Sequence, residues 1–189
     1  MACTYTIPQG KELRIAISGK SGCGNTTVST LVAEQLGIPV VNFTFRSLAE
    51  EMSLSLKDII EKAKTDDSFD REVDARQVAY AREQSSVLAS RLAIWMLEDA
   101  DFKVYLKASH GIRACRIYQR EQSSLDEITE FTRMRDEEDS RRYKGLYDID
   151  NNDFDFADLI IETDSINAQE VSAIILDALA YRKLVNVSC

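Results

Sequence analysis

The sequence predicts an α/β fold, a single domain built on a five-stranded parallel sheet with helices on both faces. Three observations lead there. Short apolar runs alternate with segments of helical spacing along the whole chain. The first of those runs ends in a glycine-rich turn that opens directly into a helix. No repeat, low-complexity stretch or Pro/Gly-rich linker divides the 189 residues, a length that suits one well-cored domain.

The elements follow in order. Residues 1–12 carry no clear pattern, and residues 13–17 (Leu-Arg-Ile-Ala-Ile) read as a buried strand closed by Ser18 and Gly19. Helical spacing runs over 26–36, and Gly37, with Pro39 behind it, stops that helix. Residues 40–43 form a second strand. Residues 44–83 are helical and strongly polar on one side, with Ser55 and Asp58 as a cap and Phe69, Val73 and Val78 facing inward. A third strand covers 86–90, followed by a short helix at 92–97 whose Trp95 and Met96 read as core. A fourth strand covers 103–107, and 112–121 is helical. Ser124-Leu-Asp-Glu127 is a capping box that opens a long helix to about Tyr143. After a polar loop at 148–155 come a fifth strand at 158–161 and a closing amphipathic helix at 167–184. Ligands of such sheets bind beyond the carboxyl ends of the strands.

Composition narrows the function classes. No run approaches the roughly 18 apolar residues of a transmembrane helix, and the first residues lack the basic flank and apolar core of a secretory signal. Cys3, Cys23, Cys115 and Cys189 are scattered without a Cys-x-x-Cys pair. This argues against a disulfide framework or zinc site and for the reducing cytoplasm. His110 is the only histidine, which excludes His-rich metal sites. A net charge of −9 disfavours broad binding to nucleic acid or acidic membrane. The expected partners are small molecules, and a monomer is expected rather than an oligomer. A phosphate ligand must then be held by a local cluster of arginines.

Gly19-Lys-Ser-Gly-Cys-Gly-Asn-Thr26 matches the phosphate-loop pattern Gly-x4-Gly-Lys-[Ser/Thr] at every fixed position except the lysine, where Asn25 stands. Small residues let backbone N–H groups turn inward around phosphate oxygens, and the following helix presents its positive end. The nucleotide contacts expected from the loop are Gly19, Lys20, Ser21, Gly22, Cys23, Gly24, Asn25, Thr26 and Thr27, with the Thr26 hydroxyl placed for Mg²⁺. A tight glycine-rich turn without a ligand is the plain alternative. Lys20 reads two ways: a solvated lysine, or a cation that bends back toward phosphate and takes a catalytic part in place of the missing one.

Four further segments carry arginines: Asn42-Phe-Thr-Phe-Arg46, Ala89-Ser-Arg91, Arg113-Ala-Cys-Arg-Ile-Tyr-Gln-Arg120, and Arg135-Asp-Glu-Glu-Asp-Ser-Arg-Arg142. With the glycine loop, their order and spacing resemble cytidylate kinases, especially the compact archaeal-type group, over about residues 13–180. The resemblance implies the P-loop NTPase fold, a single kinase domain over 1–189, ATP and Mg²⁺ as cofactors, and phosphoryl transfer from ATP to CMP or dCMP. It implies that Arg46 and Arg91 hold the acceptor phosphate, and that Arg116 and Arg120 belong to a lid over about 116–124 that closes on the donor. It also implies that Arg135, Asp139 and Arg142 serve catalysis and substrate binding. The acceptor base would fall to residues 44–83. Arg113, Arg133 and Arg141 read as solvated. Ala89 stands where related kinases often carry an acidic residue. Asn25 and Ala89 together leave a second reading, a catalytically weakened nucleotide-binding regulator, and a third is a kinase for another small acceptor.

Overall fold

The structure is a computed structural model that describes residues 3–121 and 124–188. In chain order its elements are β1 (Thr4–Thr6), β2 (Arg14–Gly19), α1 (Asn25–Leu36), β3 (Val40–Val41), α2 (Phe45–Glu51), α3 (Leu56–Ala63), α4 (Ser68–Arg82) and β4 (Ser86–Ala89). They continue with α5 (Ala93–Met96), β5 (Phe102–Lys107), α6 (His110–Tyr118), α7 (Leu125–Tyr147), β6 (Leu159–Glu162), α8 (Ala168–Tyr181) and β7 (Asn186–Ser188). Five strands pair in parallel, as the sequence predicts, and their order is β3-β4-β2-β5-β6. β2 lies at the centre, so its carboxyl end delivers the glycine loop to the middle of one sheet edge, between β4 and β5. That is the topological switch point where such sheets bind ligands.

Strand alternation divides the core between the two faces. Ile15, Ile17, Val104 and Leu106 pack with Val28, Val32, Ile175 and Leu179 under α1 and α8. Ala16, Leu88 and Tyr105 pack with Ile94, Leu97 and Ala81 on the other face. Burying each large aliphatic side chain is worth roughly 1.5–3 kcal/mol, and the elements on both sides of the loop, β2 and α1, contribute to this core. A smaller cluster of Phe43, Leu48 and Val73 sits beneath the helices of 44–83. Trp95 is half-buried, packing against the second cluster from outside and edge-on against Tyr105 at 6.0 Å.

The caps fall where the sequence places them. Gly37 ends α1 at φ 66°, Ser55 accepts from the Asp58 N–H, and Ser124 with Glu127 forms the capping box of α7. Several boundaries move. α7 runs on to Tyr147, where Asp148 adopts a left-handed conformation, and α6 begins at His110. The patternless N-terminal stretch holds β1, which pairs antiparallel with β7 as a separate two-stranded ribbon. Its residues, Thr-Tyr-Thr against Asn-Val-Ser, bury too little to leave an apolar signal. Cys3 is disulfide-bonded, contrary to the expectation from cysteine scatter, whereas Cys23 and Cys115 are free. Of the proposed lid, Gln122 and Ser123 lie outside the described residues. No helix among the described residues is long and apolar enough to cross a membrane.

Candidate active site

The loop after β2 requires its glycines for physical reasons. A Cβ on Gly19 would stand 2.7 Å from the Leu106 carbonyl oxygen. Gly22 has φ +86°, and a Cβ there would meet the Arg113 backbone oxygen at 2.8 Å. The chain therefore passes against β5 and α6 with no room for a side chain. α1 then starts at Asn25 with no side-chain cap bond and no acidic residue in its first turn. Its first N–H groups are unpaired within the helix and carry the positive end of the dipole, which together favour an anion.

A cleft of about 850 Å³ opens beside this turn. One wall is the loop itself: Gly19, Lys20, Ser21, Gly22, Gly24, Asn25, Thr26 and Thr27 all border it. Cys23 is the exception. It packs into the core behind the loop, and burial pushes its thiol pKa up. Facing the loop are Arg46 of α2, Arg91 beyond β4, Arg120, and Arg135, Asp139 and Arg142 of α7. Residues from Gly19 to Tyr143 thus converge on one cleft, and Asp136 lines a small recess beside it.

The charges are arranged in a chain. Arg91 Nη1 donates to Asp139 Oδ2 at 2.7 Å. Arg142 reaches Asp70 at 3.0 Å and Asp139 at 3.7 Å, and its Nε is buried without a partner. Burial raises the pKa of Asp139 above the ordinary carboxylate range despite the arginines beside it. Burial likewise raises Asp70, against the pull of Arg142. For Arg135, burial and then the neighbouring Arg91 charge lower the pKa, although the group remains a cation. Three guanidiniums, Arg91, Arg135 and Arg142, border one cleft with Asp139 and Asp70 among them, a cluster that suits a polyanion.

Asn25 spans the loop and the turn after β4, its Nδ2 donating to the Ser90 carbonyl at 3.3 Å while its Oδ1 accepts from Ser29 at 3.2 Å. Lys20 Nζ donates to Asn152 Oδ1 at 2.8 Å, so this lysine points across the cleft mouth toward the 148–155 loop. Ala89 is buried at the cleft floor. Among the described residues there is no group of three or more His, Cys, Asp or Glu side chains that could hold a metal. The Thr26 hydroxyl borders the cleft, but no carboxylate takes the place of Ala89.

Two arginines depart from expectation. Arg116 donates to Thr163 Oγ1 at 3.0 Å, to the Thr163 carbonyl and to the Gly22 carbonyl at 3.4 Å, and it does not border the cleft. It satisfies carbonyls beyond β6 and behind the loop, whereas the resemblance sets it over the donor phosphates. Arg113 is not solvated: it is 4% exposed, forks onto Asp136 at 2.5 and 3.1 Å, and donates to the Ser21 carbonyl at 3.1 Å. It ties α6 and α7 to the glycine loop. Arg133, by contrast, is exposed and pairs with Glu130 and Glu137 on its own helix. The sequence reading also left out Asp70, Asp74 and Gln77, which border the cleft from α4. Their spacing of four and three residues was the available signal, one turn apart on a single helix face.

The comparisons agree with this geometry. The profile of the cytidylate kinase-like family matches residues 14–165. Cytidylate kinase 2 of Borreliella afzelii (strain PKo) is 41% identical over 178 residues, covering 92% of this chain and all of that protein. Cytidylate kinase of Pyrococcus horikoshii is 38% identical over 170 residues, 89% of this chain and 88% of that one. In three dimensions the chain is similar to shikimate kinase from Bacteroides thetaiotaomicron, with a TM-score of 0.62 at 16% identity, covering 89% of this chain and 98% of that one. That likeness concerns the fold alone, a P-loop kinase fold. The glycine loop, the opposed arginines and the near full-length matches lead to one assignment: the chain belongs to the cytidylate kinase-like family.

Proposed function

We propose that the protein is a nucleoside monophosphate kinase that transfers the γ-phosphoryl group of ATP to CMP or dCMP, giving CDP or dCDP and ADP. The observation that carries the reading is the set Arg91, Arg135 and Arg142 facing the glycine loop across one cleft. Phosphoryl transfer needs two phosphates brought in line and their charge neutralised, with no covalent protein intermediate. The loop and the α1 N-terminus hold the donor phosphates, with Arg120 at the rim. Arg46 and Arg91 hold the acceptor phosphate, and Arg135 and Arg142 meet the charge that spreads over the transferring group. Asp139 orients Arg91 and Arg142. The residues fit Mg²⁺ through the Thr26 hydroxyl alone, so the metal is carried mainly by the nucleotide. When bound, it would supply positive charge to the donor phosphates. The base of the acceptor lies toward residues 44–83, and Arg120, which borders the cleft, lies toward the donor.

A silent nucleotide-binding regulator is not favoured, because the relatives matched over nearly their whole length are named as cytidylate kinases. The test is a coupled turnover assay with Mg·ATP against AMP, GMP, UMP, CMP and dCMP. Preferred turnover of CMP and dCMP is expected. Clear preference for AMP or GMP, or no turnover with any of the five, overturns the proposal.

A further inference from the structure

We propose that Gln77 reads the acceptor base, its side-chain carbonyl accepting a hydrogen bond from the exocyclic amine of an aminopyrimidine, so that cytosine is selected over uracil. The inference rests on the kinase reading and deepens it by naming what sets the base.

Gln77 is 5% exposed and borders the cleft from α4. Its Nε2 donates to Asp74 Oδ1 at 3.1 Å, while its Oε1 is buried and makes no hydrogen bond. A buried carbonyl without a donor is costly and rare in a folded protein, and a ligand that supplies the donor relieves it. The orientation of the amide is set by its neighbour. Asp74 accepts from Gln77 with one oxygen and from the Tyr147 hydroxyl with the other at 2.8 Å. Turning the amide over would face its carbonyl to a carboxylate, so Oε1 is the atom left for the ligand.

The surroundings suit a flat ring. Phe43, Leu56, Ile60 and Val73 border the same cleft, and Asp70 stands two turns before Gln77 on the same helix. The arginines of α7 and Arg91 hold the phosphate end. Asp70, Asp74 and Gln77 thus form a wall of acceptors, whose complement is a donor. Cytosine presents an amine at position 4, and uracil presents a carbonyl there, which would face Oε1 acceptor to acceptor. A site built around one hydrogen bond discriminates chiefly by leaving a buried polar group unpaired with the wrong ligand. Ribose and deoxyribose share the base, so the same contact serves CMP and dCMP.

The test measures CMP and UMP affinities by calorimetry, and kcat/KM for both, in the wild type, Gln77→Met and Asp74→Asn, with thermal melts as the check on folding. Methionine keeps the length of glutamine and removes the acceptor. Its CMP affinity should fall by about tenfold to a hundredfold, with UMP unchanged or bound more tightly, so the CMP/UMP ratio collapses. Asp74→Asn lets both amides turn, and the ratio should fall there too without loss of the phosphate contacts. An unchanged ratio in a folded Gln77→Met protein overturns the inference. Should that variant fail to fold, an unchanged ratio in Asp74→Asn overturns it instead. A Gln77-dependent preference in binding, in a wild type that turns over neither nucleotide, would support the base contact and defeat the kinase reading. Turnover of CMP with a ratio indifferent to Gln77 would do the reverse.

Discussion

Arg91→Ala separates a phosphate-binding arginine from a structural one. In the fold, Arg91 holds Asp139 at 2.7 Å, with the two side chains 29% and 12% exposed. Breaking a fully buried pair costs about 3–5 kcal/mol, whereas an exposed pair is worth about 0–1 kcal/mol. This pair lies between those limits, and Asp139 keeps Arg142 at 3.7 Å. The stability loss should therefore be about 1–2 kcal/mol, which leaves the protein folded. The kinetic loss should be larger. Removing one charge-assisted contact to phosphate costs about 1.5–3 kcal/mol, or about tenfold to 150-fold in kcat/KM for the acceptor. Steady-state kinetics with CMP varied at saturating Mg·ATP measures it, beside a melting curve. Arg91→Lys should recover part of the loss, because it keeps the charge without the planar fork. A folded Arg91→Ala protein with unchanged acceptor kcat/KM, or a loss confined to the KM for ATP, refutes the assignment.

Gly22→Ala would place a methyl group 2.8 Å from the Arg113 carbonyl at φ +86°; it should destabilise the fold by about 1–3 kcal/mol and weaken ATP binding, and a wild-type melt and ATP titration would contradict that. Lys20→Met should lower turnover more than tenfold (about 1.4 kcal/mol) if Lys20 leaves Asn152 for phosphate, while Asn25→Lys should raise it only modestly. Turnover unchanged in Lys20→Met would make the lysine a clasp for the 148–155 loop and nothing more. Burial raises Asp70, Asp74 and Asp139 above the ordinary carboxylate range. The folded state thus binds more protons than the unfolded chain, and the stability these groups contribute is present below about pH 4 and lost as pH rises through their folded pKa values. The melting temperature of Asp74→Asn should accordingly gain on the wild type as pH climbs through that window; a constant difference between the two would count against it.

What was legible in the sequence was whatever leaves a local signature. The five parallel strands show as short apolar runs, and the glycine loop shows because steric exclusion at Gly19 and Gly22 acts within a few residues of chain. The arginines of the cleft were legible by order along the chain, although Arg91 and Asp139, 48 residues apart, meet only through the topology. Arg113 was not. Its partner Asp136 lies on another helix, and an arginine on a polar helix gives no sign of burial until α6 and α7 are packed together. The place of Arg116 was hidden for the same reason, since the Thr163 hydroxyl and carbonyl that hold it belong to a loop 47 residues on. Gln77 and its acidic neighbours were visible as a helical stripe, but a polar stripe ordinarily faces water. Only the position of α4 beside the cleft makes this one face a ligand.

The substitution of Asn25 for a lysine changes where the proposed chemistry finds its positive charge. Asn25 is occupied in joining α1 to the Ser90 turn, so the loop contributes backbone N–H groups and a helix end, but no full charge at that position. Full charges stand opposite, on Arg91, Arg135 and Arg142, in a chain whose net charge is −9. Asp139 and Asp70 hold two of these arginines, and burial makes both carboxylates reluctant anions. A phosphate entering the cleft competes with counterions that are already costly to keep ionised. Arg135 stands beside them, its pKa lowered by burial and then by the Arg91 charge. Neutralisation of the transferring group then depends on how firmly α7 is docked against the loop. That docking runs through Arg113, which grips Asp136 of α7 and the Ser21 carbonyl of the loop at once. An arginine that touches no substrate thereby sets the distance between the two halves of the site.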